Sequence, residues 1–123
     1  MKQYSIETVI SDFEKSGEVI FRLANTGDYV ISNREWKKLV KYFKIFEKNL
    51  EFGYRCIDRL IESSNVVVKT KAAAYSLALS YNTSRAISVL EEIANNSGNG
   101  IFRFNAEMTL KVWREQGYLK IYQ

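Results

Sequence analysis

Apolar residues along this chain recur at steps of three and four, the spacing of one helix face, and almost nowhere alternate with polar ones as in a strand. Ile6, Val9, Ile10, Phe13, Gly17, Ile20, Phe21 and Ala24 form a first stripe and predict a helix from Ser5 to Asn25. Ser5 is placed to cap its start and Glu7 to complement its dipole. Gly17 lies on the stripe, where it either lets another helix approach closely or splits the segment in two. Thr26-Gly27-Asp28 marks a turn, and Tyr29-Val30-Ile31 reads as a short apolar connector that a lone strand could also use. Ser32-Asn33-Arg34-Glu35 has the form of a capping box. Behind it, Trp36, Leu39, Val40, Phe43, Phe46 and Leu50 predict a second helix to about Phe52, with Gly53 as its C-terminal cap.

Shorter helices follow. Tyr54, Ile57, Leu60 and Ile61 carry the third. Ser63-Ser64-Asn65 offers a cap for a fourth over 65–80, whose run Ala72-Ala73-Ala74 suits close packing. Thr83 is placed to cap a fifth helix built on Ala86, Val89, Leu90 and Ile93. The loop Asn95 to Gly100 leads to a sixth over 101–115, with Phe102, Ala106, Thr109 and Trp113 inward and Gln116-Gly117 closing it. Residues 118–123 read as a short tail. The prediction is all-α: six helices in one domain, two longer ones over 1–52 and modest ones stacked over 53–117. An α-α superhelix is expected, with a compact helical bundle as the alternative.

The whole chain has 123 residues, enough to bury about two thirds of its unfolded surface in a single core. No apolar run is long enough to cross a bilayer, and the N-terminal residues do not form an apolar signal core. One cysteine, Cys56, fits a reducing cytosolic setting, and beside apolar positions it reads as an inert thiol. There is no histidine, so the commonest general base and the commonest metal ligand are both missing. The sequence shows no metal-ligand spacing, phosphate-cradling glycine loop or nucleophile elbow. Neither an enzyme activity nor a cofactor is expected.

Charge is uneven. Over 34–48 six bases face two acids, a local net of +4, equal to the formal charge of the whole chain. Arg34, Lys37, Lys41, Lys44 and Lys48 fall on one helix face. They read either as a solvated face, partly neutralised by Glu7, Glu14 and Glu18 of the first helix, or as a stripe that binds an acidic protein surface or nucleic acid. Arg103, Glu107 and Lys111 stand four apart and predict a salt-laced face on the sixth helix. Tyr54, Tyr75, Tyr81, Tyr118 and Tyr122 lie at ends or off the stripes, where one or two could serve as exposed anchors.

Val68-Lys69-Thr70-Lys71-Ala72-Ala73 resembles the Val-Arg-x-x-Ala-Ala start of a HEAT-type repeat helix. Residues 84–94 resemble that repeat's second helix, and 104–115 the start of the next. The order, with its closing Ala-x-x-Thr-Leu-x-x-Trp, is similar to a small bacterial family of single-domain α-α proteins of unknown function. The resemblance covers about residues 60–117, and the usual HEAT proline is missing. It implies a HEAT-like right-handed solenoid without catalytic residues. Proteins of this kind resemble the cytoplasmic immunity proteins of contact-dependent and polymorphic toxin systems. The implied function is therefore protein–protein interaction, the inhibition of a cognate toxin domain. Nucleic-acid binding through the lysine stripe is the alternative.

Overall fold

The computed structural model describes residues 4–24 and 26–122. Asn25, the expected end of the first helix, lies outside them, as do residues 1–3 and 123. The described chain is all-helical, with six α-helices in order: α1 Ile6–Leu23, α2 Tyr29–Lys48, α3 Leu50–Leu60, α4 Val66–Ala78, α5 Thr83–Ala94 and α6 Ile101–Gln116. A single 3-10 turn over Ser97–Asn99 interrupts the loop before α6.

Several ends are set as the sequence predicts. The Ser5 side chain accepts from the Thr8 amide, and Asn65 accepts from both Val67 and Val68 at the start of α4. Gly117, at φ +76°, closes α6 in the left-handed conformation.

Others move. The segment 29–31 is the first turn of α2, neither connector nor strand, because Asp28 accepts from the Ile31 amide and caps the helix four residues before Ser32. The capping box therefore does not form, and Glu35 turns inward. Gly53 does not end α2. Asn49 does, and its side chain accepts from the Phe52 amide to start α3 at once. Gly53 instead sits inside α3 against Phe46, where a Cβ would stand 2.6 Å from the Phe46 Cβ. Thr83 is the first residue of α5, not its cap; that place falls to Asn82, held at φ +48° with no side-chain cap bond.

Helix α4 is the hub. Val67, Val68, Thr70 and 72–77 are all buried, as expected of a helix covered on nearly every side. It packs on α1, α3, α5 and α6, while α1 also packs on α2 and α3. Gly17 permits the α1–α4 approach: α1 runs through it unbroken, and a Cβ there would meet Val68 Cγ2 at 2.5 Å. Aromatic rings fill the space between α1, α2 and α4. Phe13 stacks on Phe46 with centroids 6.4 Å apart, and Tyr75 meets Phe43 at 4.7 Å. Tyr75, one of the five tyrosines considered as exposed anchors, is thus core. From α4 onward each helix packs on the next, and α4 also reaches α6. The chain exposes 7520 Å², about a tenth more than the roughly 6,800 Å² expected for its mass, which fits a surface cut by open grooves.

Candidate interaction surface

The basic stripe is real as geometry. Arg34, Lys37, Lys41, Lys44 and Lys48 are all exposed on α2, and the helical rise spreads them over about 21 Å. Lys38 stands off the stripe and pairs at 2.9 Å with Glu35. The Lys44 ammonium lies 4.7 Å from the ring centre of Tyr122, which brings the tail back across the end of α2. Among the described residues no carboxylate lies within ion-pair distance of Arg34, Lys37, Lys41 or Lys48.

The acids expected to neutralise this stripe face elsewhere. Glu7 stands 3.8 Å from Arg59 of α3. Glu14 accepts from the Ser63 hydroxyl, and with Glu18 it borders an open groove of about 610 Å³ shared with Ser64, Asn65 and Asn99. Glu7, Glu14 and Glu18 therefore stay together on one side of α1, away from the lysines. The predicted ladder on α6 forms only in part: Arg103 and Glu107 pair at 3.4 Å, while Arg114 reaches across to Glu91 of α5 at 3.0 Å.

Where α1 meets α2, a small polar chain is buried. Ser16 donates to Glu35 Oε1 at 2.9 Å, and Lys38 donates to Oε2. Burial alone would push the Glu35 carboxyl up, but the bonds from Lys38 and Ser16 outweigh it and hold the carboxyl below its ordinary range. Nearby, Tyr42 donates to Asp12; burial first and that bond second push the phenol up. These groups tie the two longest helices together. Cys56 is buried, and burial pushes its thiol up to about 12, far from the value at which a thiolate becomes nucleophilic at neutral pH. Among the described residues no group of three Asp, Glu, Cys or His is placed to hold a metal ion, and no helix is long and apolar enough to cross a membrane.

Sequence reasoning missed a second apolar stripe on α6. Ile101, Phe104 and Met108 follow one another at steps of three and four, beside the buried set Phe102, Ala106 and Leu110, and they are 53%, 58% and 40% exposed. Phe21 of α1, 54% exposed, stacks on Phe102 with centroids 5.6 Å apart and extends the patch onto the neighbouring helix. The signal was present in the spacing. Between this stripe, α2 and α4 lies a groove of about 360 Å³ lined by Trp36, Lys71, Phe102, Phe104 and Met108. Of the other tyrosines singled out, Tyr54 and Tyr81 stack on each other at 4.0 Å, with the Tyr81 hydroxyl on Asp58. Tyr118 and Tyr122 are exposed in the tail.

The chain matches no protein-family model, no curated protein and no solved structure.

Proposed function

We propose that this chain is a non-enzymatic binding module whose partner is another protein, and that it acts in the cytoplasm of a bacterium as an immunity protein that neutralises a cognate toxin domain. The observation that carries the binding reading is the exposed apolar stripe Ile101, Phe104 and Met108, extended by Phe21. Adjoining apolar side chains left in water on a small domain mark a surface meant to be covered. The uncompensated cations of α2 support a partner with an acidic face, since such a stripe raises the association rate and sets orientation. The immunity role rests on the resemblance of residues 60–117 to small solitary bacterial α-α proteins. Co-expression with the toxin domain encoded beside it tests the reading. Co-purification and protection of the host cell are expected; failure of both overturns the immunity role.

A second reading has one observation in its favour. Five exposed bases on a single helix face, none of them in ion-pair contact with a carboxylate among the described residues, can track a phosphate backbone. In that case a mobility-shift assay shows binding that collapses steeply with added salt. No shift at low salt removes the reading.

A further inference from the structure

Lys71 projects from the central helix α4 into the groove bordered by Trp36, Phe102, Phe104 and Met108. Its ammonium lies 4.4 Å from the Trp36 ring centre. No acidic residue lines the groove. The hydroxyls of Thr70 and Thr109, which also border it, are already committed to carbonyls of their own helices, Val66 at 2.6 Å and Asn105 at 2.8 Å. That leaves the Lys71 ammonium, the Asn105 amide and the Trp36 indole N–H as the polar groups of the lining without a hydrogen-bond partner among the described residues. A partly buried ammonium with no anionic partner is costly, and burial pushes it down to about 8. A ring face offsets part of that cost but offers no acceptor to the three N–H donors.

We propose that this groove is a binding site for a small amphipathic monocarboxylate. The carboxylate seats on the Lys71 ammonium, and an alkyl or aryl body lies between Trp36, Phe104 and Met108. A concave, mainly apolar cavity of a few hundred Å³ with one fixed charge is the usual build of a small-ligand site. A free acid with a slender body suits a charge set under an apolar rim better than a protein side chain, whose backbone must follow it in. The inference does not depend on the toxin-binding reading, because its test uses the isolated chain.

The chain has two methionines, so the Met108 methyl is readily resolved by NMR in protein labelled at methionine methyls. Octanoate and 4-phenylbutyrate are expected to shift that methyl saturably, and octylamine is not. Lys71→Leu weakens octanoate binding by about tenfold or more, the scale of one charge-assisted contact, and Lys71→Arg keeps most of it. Thermal unfolding of both variants confirms that they fold, and the charge-retaining variant keeps the comparison valid if Lys71→Leu does not. Equal shifts by acid and amine, no saturable shift by octanoate, or an affinity indifferent to Lys71→Leu overturn the proposal. Saturation by a short acidic-apolar peptide but not by octanoate also overturns it, and would assign the groove to protein docking.

Discussion

At the scale of single residues, the core carries one unresolved group. The Tyr75 ring is fully buried among Phe13, Phe43 and Phe46, yet its hydroxyl finds no hydrogen-bond partner among the described residues. A buried donor left unmade costs about 1–3 kcal/mol. Tyr75→Phe is therefore expected to stabilise the chain by about 1 kcal/mol in urea denaturation; a clear loss would show that the hydroxyl is bonded. Glu35 has the opposite character, since both of its oxygens are satisfied, by Ser16 and Lys38. Its folded pKa lies below the ordinary value of 4.5. Its contribution is therefore full above that value and is lost as pH falls through the lower folded one. Wild type is expected to be more stable than Glu35→Gln at neutral pH, with the gap closing under acid. A gap that stays constant between about pH 7 and about pH 3 would mean the carboxylate is not preferentially held in the folded state.

At the scale of elements, close approach matters more than propensity. Alanine at position 17 would favour helix α1 by about 1 kcal/mol in isolation. Its methyl, however, would stand 2.5 Å from Val68 Cγ2, and such overpacking costs about 1–3 kcal/mol. Gly17→Ala is expected to lower stability, and adding Val68→Ala should recover part of the Gly17→Ala loss despite its own cavity. If Gly17→Ala alone raises the melting temperature, α1 and α4 do not meet as described. Position 17 was legible in the sequence, because a glycine on an apolar stripe points to a neighbouring backbone. The stripes of all six helices, the caps at Ser5 and Asn65 and the common face of the α2 bases were legible for the same reason: each is a local pattern. The α2–α3 junction was not, because Leu50 continues the apolar period of α2 across Asn49, and only the backbone change at Asn49 breaks it. Glu35 was misread because a capping box is judged from four residues, while one of its two actual partners, Ser16, lies on another helix. Tyr75 and Lys71 both sit on α4. There the surroundings come from all five other helices, so no spacing within the element reveals that one is core and the other borders a groove.

At the scale of the molecule, charge and apolar surface are separated. The cations lie along α2, and the exposed apolar stripe lies on α6 with Phe21 of α1 beside it. Under the proposed protein-binding role, the two surfaces would act on different stages of binding. Long-range attraction speeds encounter and is screened by salt, whereas desolvated apolar contacts hold the formed complex and set its lifetime. Lys41→Glu removes one charge from the centre of the stripe, adds the opposite one, and places an acid four residues after Lys37 and three before Lys44. On α2 that relieves like-charge crowding worth a few tenths of a kcal/mol per pair. Lys41 also borders a recess with Asp12 and Glu35, which offsets part of that relief, so the variant is expected to stay within about 0.5 kcal/mol of wild type, yet to associate with an acidic partner several-fold more slowly at low salt, the difference fading as salt rises. Phe104→Ser should leave stability within about 0.5 kcal/mol, since the side chain is largely in water, and raise the dissociation rate with little effect on association. Stopped-flow and surface-plasmon measurements on the co-purified partner separate the two rates. If Phe104→Ser leaves the dissociation rate unchanged, the apolar stripe of α6 is not the contact that holds the complex.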